Sequence, residues 1–91
     1  MKKIFKVIHQ GEPFQVNKTD GTQRNKCILI LQEIGGKYEN SYVCHLLGNA
    51  ALCRFYPDDI VFAALRFSHS EYQGKYYQDI TVQDIISFSN H

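Results

Sequence analysis

Apolar and polar residues alternate over most of this chain, and a period of two is typical of strands that bury one face. Residues 60–69 show the pattern most clearly. On a strand over this range, one side would carry the apolar side chains that we expect to face inward, namely Val61, Ala63, Leu65 and Phe67. The same alternation predicts that Ile80 and Val82 face inward on the strand that follows.

Turn signals divide the chain into five predicted strands. Glycine reaches positive φ at little cost, and it marks tight turns at Asp20-Gly21, Gly35-Gly36 and Gln73-Gly74. The predicted strands are residues 4–8 continued by 14–16 beyond a kink at 11–13, then 26–33, 38–47, 60–69 and 76–88, the last with a bulge before Ile85. Residues 49–54 lack the alternation and contain helix formers, so we expect a short helix there.

This order of elements predicts the fold class. Three strands, a short helix and two strands joined by a hairpin correspond to an all-β fold. That fold is the OB-fold, a five-stranded, partly open Greek-key barrel, here with a short helix between strands three and four. The 91 residues suffice for one hydrophobic core but not for two, so we expect a single domain over residues 1–91.

Charge is distributed unevenly along the chain. The formal net charge is only +1, yet residues 1–26 carry six of the ten lysine and arginine residues. Such a bias permits a local anion-binding face. A basic edge that deters strand pairing would explain it as well.

Cysteine usage and hydropathy predict a reducing, cytoplasmic location. The three cysteines have no short paired spacing, which favours free thiols over a disulfide framework. Cys44 and His45 are adjacent in a predicted strand and would point to opposite faces, which argues against a metal site. No apolar run is long enough to cross a membrane, and Lys6, His9 and Gln10 interrupt the run that a signal peptide needs.

No residue pattern indicates catalysis. The four histidines are scattered, and Gly35-Gly36 opens no helix that could cradle a phosphate. No serine or cysteine has a recognisable activating partner. We therefore expect a binding protein that is not an enzyme and that uses no metal or cofactor.

The last predicted hairpin carries a resemblance to a known family. Its pattern Glu71-Tyr72-x-Gly74-x-Tyr76-Tyr77-x-Asp79-Ile80, with Gly48 after strand three and the order of elements, resembles a family of small, largely uncharacterised bacterial OB-fold proteins. Those proteins are related to single-stranded DNA-binding proteins. The resemblance implies a barrel that binds nucleic acid over strands two and three, between the first and last hairpin loops.

The two hairpins contain residues suited to that function. Binding single strands without sequence preference needs cations that follow the phosphates and aromatic faces on which bases stack. The cations are Lys18, Arg24, Lys26 and Lys75, and the aromatic candidates are Phe14, Tyr72, Tyr76 and Tyr77. Tyr76 lies an even number of residues before Ile80 and Val82 and so shares their inward side, which makes it the better packing residue. Tyr77 lies on the other side of the strand and faces outward. We expect weak binding of single-stranded DNA or RNA, with DNA favoured.

An apolar outer face leaves a second function open. Alternation turns a set of residues on strands two to four outward, namely Ile28, Ile30, Val43, His45 and Phe62. A monomer rarely leaves such a patch open. Either the helix or a loop covers it, or the chain is a protein-interaction or assembly module, with a homodimer favoured.

Overall fold

Six strands and one 3-10 turn make up the secondary structure of the computed structural model, which describes residues 1–37 and 39–88. The elements are β1 (Lys2–Gln10), β2 (Phe14–Asn17), β3 (Gln23–Glu33), β4 (Ser41–Leu47), the 3-10 turn (Gly48–Leu52), β5 (Ile60–Tyr72) and β6 (Lys75–Ser87). The predicted kink at 11–13 divides the first strand into β1 and β2. The predicted start of the third strand, Tyr38, lies outside the described residues.

The strands pair into a closed ring. Antiparallel ladders join β1 to β3 and β5, β5 to β6, and β3 to β4. β4 runs parallel to β6 and meets it at the pair His45 and Thr81. β2 extends the sheet beside β3. This order agrees with the arrangement predicted from the sequence, including the helical element between the predicted third and fourth strands.

That helical element is shorter than predicted. The sequence suggests a helix over residues 49–54, whereas the structure has a single 3-10 turn over Gly48–Leu52. Gly48 enters the turn with a φ of +66°, a conformation that disfavours other residues. Among residues 1–37 and 39–88, no helix has the length and apolar character needed to span a membrane.

The core fills the inside of the ring, where the alternating residues of all the main strands meet. Its buried members are Phe5, Val7, Cys27, Leu29, Leu31, Cys44, Leu46, Ala51, Phe55, Val61, Ala63, Leu65 and Val82. Four residues of the predicted fourth strand were expected to face inward, and this is confirmed for three of them, Val61, Ala63 and Leu65. Burial raises the pKa of the Cys44 thiol to about 12, so this cysteine stays protonated inside the core.

Phe67 is the exception among the residues predicted to face inward. Its side chain is exposed because β5 continues beyond the end of the core toward the last hairpin. Its ring still packs edge-on against the Tyr42 ring, with the ring centroids 6.1 Å apart. The Tyr42 ring in turn packs edge-on against the Phe5 ring, with the ring centroids 6.0 Å apart. Phe67 therefore marks the boundary between the ring of strands and the projecting hairpin.

The predicted bulge in the last strand is confirmed. Ala64 pairs with Asp84 and Leu65 with Val82, so Gln83 is the extra residue. Without the extra residue, Val82 and Ile85 would lie on opposite sides of the strand, and one of them would face the solvent. The bulge lets both side chains face the core.

A buried glutamine ties β1 to the chain that follows the 3-10 turn. Gln10 is 6% exposed. Its Nε2 donates to the Cys53 carbonyl at 2.7 Å and approaches the Cys27 Sγ at 3.5 Å. Its Oε1 accepts the Phe55 N–H at 2.7 Å. The side chain thus satisfies two backbone groups at the start of the connection to β5. The end of this connection is held by β1, where the Asp58 N–H donates to the Val7 carbonyl and the Val7 N–H donates to the Asp59 carbonyl, both at 2.8 Å.

Candidate nucleic-acid interface

The outward sides of β3 and β4, with the adjoining parts of β2 and of the β5–β6 hairpin up to the pair Arg66 and Thr81, form one continuous surface, called the outer face below. Paired residues of neighbouring strands point to the same side. Ile28 on β3 lies opposite His45 on β4, and His45 lies opposite Thr81 on β6. Thr81 in turn lies opposite Arg66 on β5. This row therefore crosses four strands without a break.

The neighbouring rows bring a ring, a cation and apolar groups onto the same surface. On one side of the central row, Lys26 lies between Phe14 on β2 and Leu47 on β4. On the other side, Ile30 lies opposite Val43. The middle of the outer face is therefore an apolar strip with Lys26 at one end.

The first hairpin, between β2 and β3, is held in place by its own turn. The Lys18 N–H donates to the Thr22 carbonyl at 2.7 Å, and Gly21 adopts a φ of +88°. Asp20 Oδ1 accepts from the hydroxyl of Thr22 at 2.6 Å and from its N–H at 3.0 Å. These hydrogen bonds lower the pKa of the Asp20 carboxyl. The fixed turn leaves the Lys18 side chain exposed, and Arg24 follows on the same side of β3 as Lys26.

The last hairpin, between β5 and β6, projects beyond the ring of strands. Gln73 and Gly74 have φ values of +52° and +77°, the signature of a two-residue type I′ turn. Tyr72 pairs directly with Lys75 across the turn. The tight turn predicted at Gln73-Gly74 is thus confirmed, and it places a ring and a cation side by side.

The adjacent tyrosines of β6 lie on opposite sides of this hairpin. Tyr77 is 48% exposed and shares the outward side with Lys75 and Thr81. Tyr76 points to the other side, as parity predicts, but it is 73% exposed and does not pack. The expectation that it serves as a packing residue is wrong, because the hairpin extends past the core at this point.

The two hairpins lie at opposite ends of the outer face. β3 is antiparallel to β4, and Lys26 pairs with Leu47. The first hairpin, which comes before β3 in the sequence, therefore lies beyond the Leu47 end of β4. β6 runs parallel to β4, so the last hairpin precedes β6 beyond the Ser41 end. β4 has seven residues, and the hairpins are therefore separated by about 20 Å of sheet.

His45 occupies the middle of the outer face between charges of opposite sign. Burial contributes most to lowering the pKa of this imidazole, and Lys26 contributes next, while Asp79 acts in the opposite direction. His45 is therefore neutral at pH 7. At that pH Arg66 and the cations of the two hairpins, rather than His45, supply the positive charge of this surface.

Acidification is expected to destabilise the protein through His45. Because its folded pKa lies below the ordinary 6.5 of the unfolded chain, the unfolded state takes up this proton first. Stability should therefore fall as the pH drops below about 6.5. Thermal melts at pH 7 and pH 5 should show a larger loss for the wild type than for the variant His45→Gln. Equal losses in the two proteins would contradict this assignment.

Phe62 does not join the apolar residues with which the sequence groups it. It faces outward as predicted, but on β5 it pairs with Ile4 of β1 and Ile86 of β6. The other four residues of the predicted interface, Ile28, Ile30, Val43 and His45, do lie together on the outer face. The single predicted patch is therefore two separate surfaces.

The outer face also includes residues that were not among the site residues predicted from the sequence, namely Leu47, Arg66, Asp79 and Thr81. Leu47 has the outward parity but borders the 3-10 turn. Arg66 and Thr81 reach this surface only because β6 pairs with β4, a contact between distant parts of the chain that leaves no local signal. Alternation alone gives their direction but not their neighbours.

Comparison with known proteins supports the fold. No protein-family model matches the sequence, and no curated protein matches it. Among solved structures, the chain is similar to the second OB-fold domain of replication protein A from Methanococcus maripaludis, with a TM-score of 0.76 and 19% identity. The match covers 99% of this chain and 84% of that one. The predicted OB-fold is thus confirmed, with a single 3-10 turn as its helical element.

Proposed function

We propose that this OB-fold domain binds single-stranded nucleic acid across the outer face, weakly and without strong sequence preference, with DNA favoured over RNA. The observation that carries the proposal is the continuity of this surface. Cations and aromatic rings occur at both hairpins, and about 20 Å of sheet with the apolar strip at its middle joins them. OB-folds as a class use this face and these two loops for oligonucleotides.

Each group on the surface has a part in such binding. Lys18, Arg24, Lys26 and Lys75 would follow the phosphates. Phe14, Tyr72 and Tyr77 offer exposed rings for stacking, which is worth about 1–3 kcal/mol per base and accepts any base. Tyr76 is left out because it points to the opposite side of the hairpin. The small net charge of +1 favours modest affinity.

The apolar strip also suits a protein partner, which keeps the assembly module as an alternative. The strip is narrow, however: Val43 is well exposed, whereas Ile30 is half-buried. Charged groups border it, with Lys26 toward the first hairpin and Asp79 toward the last. Because interface cores are depleted in charge, these bordering charges disfavour an apolar protein surface as the partner. A nucleic-acid partner would be met inside the cell, and the cytoplasm is our proposed location.

The double variant Arg24→Gln/Lys26→Gln tests the proposal. If both cations contact phosphates, the slope of log K against log salt should become shallower by about 0.7 for each lost contact on a single strand. The measurement is a fluorescence titration with labelled oligo(dT) at several salt concentrations. Lys3→Gln is the control, because Lys3 pairs with β5 and its Nζ lies 3.1 Å from Glu33 Oε1, away from both the outer face and the row of Lys2. An unchanged slope in the double variant would exclude these residues as phosphate contacts.

A further inference from the structure

A second exposed apolar cluster lies on the outward side of β1, β5 and β6. Ile4 pairs with Phe62, and Phe62 pairs with Ile86, so the three side chains stand in one row across three strands. They are 50%, 37% and 56% exposed, respectively. Directly paired side chains have Cβ atoms about 5 Å apart, which makes the row one contiguous patch. A monomer rarely leaves a patch of this kind in water.

The adjoining row carries opposite charges at its two ends. Lys2 on β1 pairs with Ala64 on β5, and Ala64 pairs with Asp84 on β6. Ala64 has only a methyl side chain, so the longer side chains of Lys2 and Asp84 extend further from the sheet on either side of it. Asp84 Oδ1 accepts the N–H of Ile85 at 3.0 Å, which orients its carboxylate. Basic and acidic groups thus flank β5 at equal distances, on opposite sides.

From this arrangement we infer that a second copy of the chain docks on this face, around a two-fold axis that runs along β5 past Phe62. The rotation exchanges the two sides of β5. Ile4 of one copy then meets Ile86 of the other, and Phe62 meets Phe62. Lys2 meets Asp84 twice, once on each side of the axis. Two sheets that pack face to face are about 10 Å apart, a distance that a lysine and an aspartate together can bridge.

The charges select this axis and this partner. An axis across the strands would exchange the two ends of β5 instead, and it would bring Lys2 opposite Lys6, which pairs with Ile60 on the other side of the apolar row. The surface therefore complements itself in one orientation and repels itself in the other. Docking here leaves the outer face of β3 and β4 uncovered in both copies, so dimerisation and oligonucleotide binding are compatible.

Sedimentation or light scattering of the full chain, without oligonucleotide, tests the inference. The wild type should be a dimer, and Phe62→Glu should weaken the dimer at least tenfold. Val43→Glu, an equivalent change on the outer face, should leave it intact. A wild type that stays monomeric at several hundred micromolar would overturn the inference. So would a dimer that survives Phe62→Glu but dissociates with Val43→Glu.

Reversal of the charge pair provides a test that does not touch the apolar row. Lys2→Glu should weaken the dimer, because it places an acid opposite Asp84 of the second copy. The double variant Lys2→Glu/Asp84→Lys restores opposite charges and should return dimerisation to the wild-type level. Circular dichroism melts check that each variant is folded. If Phe62→Glu fails to fold, the test rests on the two charge variants. A double variant that dimerises no better than Lys2→Glu would overturn the inferred axis.

Discussion

Replacing Gln10 with leucine is expected to lower the melting temperature more than any substitution on the surface. The glutamine side chain satisfies the Cys53 carbonyl and the Phe55 N–H, both at 2.7 Å, from a site that is almost fully buried. Leucine has a similar volume but neither donates nor accepts. Each buried group left without a partner costs about 1–3 kcal/mol, so we expect a loss of roughly 2–4 kcal/mol in the free energy of unfolding.

For a domain of this size, that loss corresponds to a melting temperature lower by roughly 10–25 °C. Circular dichroism or calorimetry would measure it. Gln15→Leu is the matched control, because Gln15 is exposed on the short strand β2, and its melting temperature should change little. If Gln10→Leu melted within a few degrees of the wild type, the connection from the 3-10 turn to β5 would not depend on this side chain.

The second large effect is expected in binding, at the two adjacent tyrosines of β6. Tyr77→Ala should weaken oligo(dT) binding by about 5- to 150-fold, the equivalent of one lost stacking contact of 1–3 kcal/mol. Tyr76→Ala should change it less than about twofold, because its ring lies on the other side of the same hairpin. Both side chains are well exposed, so neither variant should unfold the domain.

The comparison of these two variants separates a stacking role from a general effect on the hairpin. The residues are neighbours of the same type on the same strand, and they differ mainly in direction. Equal losses in both would mean that the hairpin contributes through its shape rather than through the Tyr77 ring. A larger loss in Tyr76→Ala would place the bound strand on the opposite side of the hairpin.

Local patterns were sufficient to predict most of the fold. Alternation identified the strands, and glycines at positions such as 21 and 74 identified the turns, because positive φ is a property of single residues. The bulge before Ile85 could also be predicted, since two apolar residues three positions apart must both reach the core. The helical element was found in place, although it is only a 3-10 turn.

The arrangement of the surface was less accessible, because it depends on contacts between distant strands. Alternation gives the direction in which Phe62 and Tyr76 point. It does not show which strands lie beside Phe62, nor whether the core extends as far as Tyr76. The pair His45 and Thr81 closes the ring through a parallel contact for which the sequence holds no local signal. The role of Gln10 likewise depends on backbone groups more than 40 residues away.

The measurement that bears most directly on the proposed function is a titration of the wild type with fluorescently labelled oligo(dT) over a series of salt concentrations. We expect binding in the micromolar range at low salt. If the cations of the two hairpins, Lys18, Arg24, Lys26 and Lys75, each neutralise one phosphate, log K should fall with log salt at a slope of about −3. No binding at tens of micromolar, or an affinity that does not change with salt, would contradict the proposal.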